Sequence, residues 1–266
     1  MRPRTGQLLW RVTASAAFLS LLALMAGFAF ALHPQWLAPA AGTPVPSETQ
    51  PSAPAGAPGT DQRFQLVTLG DSLTRGTGDA NGQGYVGIVR RALEEQHQGK
   101  ITLTNLAING LQSAELLDQL QQPHVRRVLS DADLILFTIG GNDLFSQSGG
   151  IYEVNPEKLD RALKELASHF TRILQEMRGL NASAPIIYAS LYNPFGDTGA
   201  AAESASAVLD WDYQAGKIAA QFSGVLAVPT YDLFAHKEKT YLYSDHFHPN
   251  ADGYQRMAER ILQAIK

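Results

Sequence analysis

From residue 63 onward, the apolar positions follow two rhythms. Five short runs are nearly continuous in apolar and β-branched residues: Phe64–Leu69, Ile101–Ala107, Leu134–Ile139, Ile186–Leu191 and Val225–Pro229. Such runs read as strands buried on both faces. Between them the apolar spacing lengthens to three and four. Leu159, Leu163, Leu166, Phe170, Ile173, Leu174 and Met177 make one stripe; Tyr254, Met257, Ala258, Ile261, Leu262 and Ile265 make another. Each stripe predicts an amphipathic helix. Strands alternating with helices predict a parallel sheet in a three-layer α/β/α sandwich. Ligands of such open sheets bind beyond the C-terminal strand ends. That rule gathers Gly70–Ser72, Ile108–Gly110, Gly140–Asp143 and Tyr192–Phe195 on one rim.

Before residue 63 the rhythm is absent. Residues 1–37 contain an uncharged run at 12–32, VTASAAFLSLLALMAGFAFAL, preceded by Arg2, Arg4 and Arg11. About 20 apolar residues suffice to cross a bilayer, and flanking arginines stay cytoplasmic. The expectation is a membrane protein with one N-terminal transmembrane helix and an extracytoplasmic domain. The alternative is a cleaved signal sequence and a secreted protein, since Ala29-Phe30-Ala31 fits a small-x-small cleavage site. Residues 38–62 are dense in Pro, Ala, Gly and Ser and predict a disordered linker. The folded domain is expected over 63–266.

Composition narrows the partners. Of 266 residues, 45% are hydrophobic and 17% charged, enough for a sizeable core. The net charge is -4, with no basic concentration outside the first residues, so nucleic acid is not an expected partner. There are no cysteines, which excludes disulfides, a thiolate nucleophile and a lipidated N-terminal cysteine.

The chemistry lies in four short stretches on the predicted rim. LGDSLTRG, residues 69–76, ends the first strand with Ser72. Ser72 reads as a helix cap or as a nucleophile. The stretch is neither a G-x-S-x-G elbow nor a P-loop. NLAING ends in Gly110, a turn residue or a backbone donor. TIGGND, residues 138–143, offers the Asn142 amide to the rim, or forms a simple turn. In YSDHFHPN, residues 243–250, Asp245 and His248 are three apart. A turn brings such a pair together, so the carboxylate holds the imidazole Nδ1–H and leaves Nε2 as base. Pro249 and Asn250 are expected to begin the last helix. A metal site from Asp245, His246 and His248 is the rival, but no other His/Asp cluster supplies further ligands. No metal or cofactor is expected. A serine, a base, its orienting acid and further donors are the parts of acyl transfer. The N–H groups of Ser72 and Gly110 with the Asn142 amide make a three-donor oxyanion hole.

In order, GDSLTRG, Asn105 to Gly110, GGND and DHFHP resemble the four sequence blocks of the SGNH (GDSL) hydrolases, over Phe64 to Lys266. The resemblance implies a flavodoxin-like sandwich and metal-free ester hydrolysis. It makes Ser72 the nucleophile, His248 the base and Asp245 its orienter, with Ser72, Gly110 and Asn142 as the oxyanion hole. It implies structural roles for Asp71 and Asp143. The subset it matches best is that of bacterial extracytoplasmic lipase/acylhydrolase-like members.

The sequence does not name the ester. A lysophospholipid or other lipid ester fits the membrane address; an O-acetylated cell-wall sugar is the alternative. Asn193 to Trp211 reads as a mobile loop lining the site. Phe195, Trp211 and Tyr213 are its candidate substrate contacts, with packing as the other reading. A metallophosphoesterase, an anchored binding module without catalysis and a thioesterase are the competing classes.

Overall fold

The structure, a computed structural model, describes residues 63–145 and 155–265, together with Ser20. Apart from Ser20, the predicted membrane segment at 12–32 lies outside the described residues, as does the linker at 38–62. Among the described residues, no helix is long and apolar enough to cross a membrane.

Five parallel strands form one sheet: β1 (Phe64–Gly70), β2 (Ile101–Asn105), β3 (Leu134–Thr138), β4 (Ile186–Ala189) and β5 (Val225–Val228). Their spatial order is β2-β1-β3-β4-β5. Each predicted run therefore became a strand, shifted at its C-terminal end by one or two residues. The order reverses direction between β1 and β3, the switch point at which doubly wound folds hold ligands.

The central strands are buried on both faces, and successive residues divide between two cores. Val67, Leu69, Ile135, Phe137, Ile186 and Tyr188 face one; Leu66, Leu134, Leu136, Ile187 and Ala189 face the other. This is the period-2 division of a pleated strand. The first core is covered by α3 (Ser113–Gln119), α4 (Pro123–Ser130), α6 (Pro156–Leu180) and α7 (Ala201–Ala219). The second is covered by α2 (Gly84–Gln96) and α10 (Ala251–Ile265). Short helices α1 (Ser72–Arg75), α5 (Gly141–Phe145), α8 (Tyr231–Phe234) and α9 (Glu238–Tyr241) sit in the loops.

The long helices carry their own start signals. Asn155 caps α6 by accepting from the Lys158 N–H at 3.0 Å, with Pro156 in the first turn. Gln112 and Glu115 close a capping box on α3. Asn250 accepts from the Gly253 N–H at 3.0 Å, so α10 starts at Ala251. Pro249 lies before that helix, in an antiparallel bridge with Leu242, and does not begin it.

Candidate active site

The first strand ends against its neighbour. Gly70 has φ 109°, and a Cβ there would lie 1.8 Å from the Thr138 carbonyl oxygen. Only glycine allows β1 and β3 to approach this closely as the chain turns. Asp71 follows and caps α1: its Oδ1 accepts from the Leu73 N–H at 3.0 Å. The cap is therefore Asp71 and not Ser72, which leaves the serine hydroxyl uncommitted to the helix. The Thr138 hydroxyl donates to Asp71 Oδ1 at 2.6 Å. The Thr74 hydroxyl lies 2.8 Å from Thr138 and 2.6 Å from the Tyr85 hydroxyl. This buried chain can direct every proton towards Asp71. Burial still dominates at Asp71 and raises its pKa above the ordinary value, against the hydrogen bonds from Thr138 and Leu73.

The imidazole comes from the opposite end of the sequence. Tyr243 N–H donates to the His248 carbonyl at 2.7 Å and His246 N–H to the Tyr243 carbonyl at 3.0 Å, closing a tight turn. Asp245 Oδ1 accepts from the N–H groups of Phe247 and His248 at 3.0 and 2.9 Å. Its Oδ2 lies 2.7 Å from His248 Nδ1. Burial pushes the Asp245 pKa up, but these three donors outweigh it and hold the carboxyl below the ordinary range. A carboxylate only accepts, so Nδ1 carries the proton and Nε2 is left to accept. Nε2 lies 2.8 Å from Ser72 Oγ. Thus Ser72, His248 and Asp245 stand in one hydrogen-bonded line. The loop after α1 backs the ring: at Gly78 a Cβ would lie 2.8 Å from His248 Cβ.

The other two stretches are tied to each other. The Asn142 amide donates to the Leu111 carbonyl at 2.9 Å, joining the GGND turn to the turn that holds Gly110. Gly110 has φ 79° and its N–H makes no hydrogen bond with any described residue. Ile108 N–H donates to the Gly70 carbonyl at 2.8 Å, and the Thr77 hydroxyl to Asn109 Oδ1 at 3.2 Å, which hold this turn beside Ser72. Asp143 fastens the same loops by accepting from the Ser113 hydroxyl and N–H.

Ser72 and Asn142 open onto a cleft of about 340 Å³, counting solvent space at its mouth. Its other walls include Leu73, Phe145, Leu191, Tyr192 and Phe247, so it is largely apolar. Among the described residues, no group of three or more His, Asp or Glu side chains converges as a metal site.

The three aromatic contacts expected from the sequence do not line this cleft. Trp211 is fully buried in the core, donating to the Tyr188 hydroxyl at 2.8 Å. Tyr213 is 68% exposed on α7, beneath the Lys217 ammonium. Phe195 lies one layer behind, edge-on to Phe145 at 4.9 Å between ring centres. The segment read as a mobile loop is helical from Ala201 onward. Alanine is the strongest helix former, and the absence of a polar cap at Ala200 hid the start of α7. The aromatic walls missed by sequence were Phe145, two residues past Asp143, and Phe247, beside His248. Their adjacency to the two blocks was the available signal.

Residues 68–256 match the sequence profile of the GDSL-like lipase/acylhydrolase family. The chain is 37% identical over 212 residues to the uncharacterized protein YpmR of Bacillus subtilis (strain 168), covering 78% of this chain and 83% of that one. It is 32% identical over 210 residues to the spore germination lipase LipC of Bacillus licheniformis, covering 76% and 96%. Among solved structures, the lipase Lip_vut3 from a goat rumen metagenome superposes with a TM-score of 0.66 at 25% identity, covering 76% of this chain and 97% of that one.

Proposed function

Because the chain belongs to the GDSL-like lipase/acylhydrolase family and is an ester hydrolase, we propose that Ser72 is its nucleophile, His248 its general base and Asp245 the group that orients His248. The observation that carries this reading is the continuous line from Asp245 Oδ2 to His248 at 2.7 Å and on to Ser72 Oγ at 2.8 Å. Ser72 attacks the ester carbonyl as its proton passes to Nε2. The N–H groups of Ser72 and Gly110 and the Asn142 amide receive the oxyanion. His248 then gives its proton to the leaving alcohol. A water, deprotonated by Nε2, attacks the acyl-serine and releases the acid and free Ser72.

The apolar cleft beside Ser72 favours an acyl chain, which supports a lipid ester such as a lysophospholipid as substrate. The uncharged run at 12–32 supports the same substrate: we propose that it anchors the enzyme in the cell membrane with the domain outside. The small volume of the cleft, about 340 Å³ with its mouth, favours short acyl groups and supports the second reading, an O-acetylesterase of cell-wall glycans.

A series of p-nitrophenyl esters from acetyl to palmitoyl, run beside lysophosphatidylcholine and acetylated xylan, separates the two. The lipid reading expects kcat/KM to rise from acetyl to at least octanoyl. A maximum at acetyl with turnover of acetylated xylan overturns it in favour of the second reading. Inhibition by chelator but not by a fluorophosphonate overturns both.

A further inference from the structure

The chain that crosses from β4 towards α7 has two sides. Tyr192 and Pro194 line the cleft with Ser72. Asn193 and Gly196 line a second pocket, bounded by the start of α7 at Ala202 and Ala205 and by Tyr231 and Glu238. This pocket holds about 600 Å³, counting solvent at its mouth, within the roughly 300–1,000 Å³ of small-molecule sites. It stands on the same C-terminal rim of the sheet as the catalytic line.

Glu238 is only 5% exposed. Its Oε1 accepts from the His236 N–H at 3.2 Å, and Oε2 has no hydrogen bond or ion pair with any described residue. His236 is held at φ 62°, an unusual conformation for a residue with a side chain. The carboxylate packs so closely on Gly196 that a Cβ there would lie 2.0 Å from Oε1. Two nearby cations are engaged elsewhere: Lys237 lies over the Tyr241 ring and Arg260 pairs with Asp232. Asn193 is 4% exposed; its Oδ1 accepts from the Phe195 N–H, while its Nδ2 has no hydrogen bond with any described residue. An acceptor and a donor on two largely buried residues thus open onto one pocket, both with hydrogen-bonding capacity to spare.

We propose that this pocket binds a sugar unit. Neighbouring sugar hydroxyls both donate and accept, so one pair satisfies Glu238 and Asn193 together. The Tyr231 ring and the alanine methyls suit the C–H face of a pyranose. An anionic ligand is repelled by Glu238, and a simple cation leaves the Asn193 donor unused. The inference goes beyond ester hydrolysis and does not depend on it, because binding is read without turnover.

The test is calorimetric titration of the full chain in detergent with β-1,4-linked xylose oligomers and N-acetylglucosamine oligomers, and with choline as a cation. Glu238→Gln removes the charge and keeps the shape. Ala202→Leu fills the mouth from an exposed position and leaves Glu238 intact. The proposal expects at least one sugar series to bind, Glu238→Gln to weaken it about tenfold, the scale of a hydrogen bond to a charged group, and Ala202→Leu to weaken it by about as much through steric exclusion. Both variants should hydrolyse p-nitrophenyl acetate within about twofold of the parent. Absence of sugar binding, sugar binding insensitive to both substitutions, or binding of choline alone would each overturn it. If Glu238→Gln fails to fold, Ala202→Leu decides the outcome alone.

Discussion

Two aspartates flank the line from Ser72 to His248, and their surroundings push them in opposite directions. Asp71 is 2% exposed and its carboxyl is raised by burial. The Asp245 side chain is 40% exposed, and its carboxyl is lowered because three donors outweigh a lesser burial. Ser72, the proposed nucleophile, is thus positioned by the sheet, through a buried chain of Thr138, Thr74 and Tyr85 hydroxyls. His248, the proposed base, is positioned by a six-residue surface turn, Tyr243 to His248, closed by its own backbone. On the proposed mechanism, the contrast assigns stability and catalysis to different carboxylates. The buried one belongs to the fold, and the exposed one to the proton.

The largest effect should come where the two arms meet. Ser72→Ala is expected to lower kcat about 10³-fold or more while leaving the melting temperature nearly unchanged. A variant that keeps near-parental esterase kinetics would contradict the nucleophile assignment.

Asn142→Ala comes next. The loss of one oxyanion donor should lower kcat by roughly 10²–10³-fold with little change in KM. Because Asn142 also holds the Leu111 carbonyl, a modest fall in melting temperature should accompany it. Lost stability with kcat preserved would make Asn142 a turn residue only.

The two carboxylates can then be compared directly. Asp245→Asn should cost activity by about 10²-fold or more, through a misdirected imidazole, with little loss of stability. Asp71→Ala should do the reverse. It leaves the buried Leu73 N–H and Thr138 hydroxyl without their acceptor, costing about 2–4 kcal/mol by urea denaturation. If both substitutions act on kcat alone, the division of labour is wrong.

How legible this was in the sequence follows the same division. The turn Tyr243–His248 is local, and its spacing alone anticipated the Asp245–His248 hydrogen bond. The central strands were legible because residues buried on both faces leave continuous apolar runs. The Asp71 network was not, because Thr138 and Tyr85 meet it only after β1 pairs with β3 and α2 packs beneath. Trp211 was misread for a related reason. It sits in an Ala- and Ser-rich stretch with weak periodicity, and only tertiary packing shows that it points at Phe170 and Tyr188.

A pH-dependent effect concerns a third carboxylate, Asp212, which accepts from the Ser190 hydroxyl. Burial raises its pKa from 3.8 to about 6. The folded state therefore binds a proton more tightly than the unfolded chain. This contribution is present in full below pH 3.8 and is lost as pH rises through about 6. Asp212→Asn removes that dependence. Relative to the variant, the parent should lose up to about 3 kcal/mol between pH 4 and pH 7 in urea denaturation. Parallel stability curves would contradict the buried-acid reading.

The central claim is that Ser72, activated by His248, is the residue that takes the acyl group. Fluorophosphonate labelling of the full chain, read by peptide mass spectrometry, tests it most directly. The account predicts one adduct per chain, on the peptide carrying Ser72, and its loss in His248→Ala. An adduct on another residue, or labelling of Ser72 that is indifferent to His248, would contradict it.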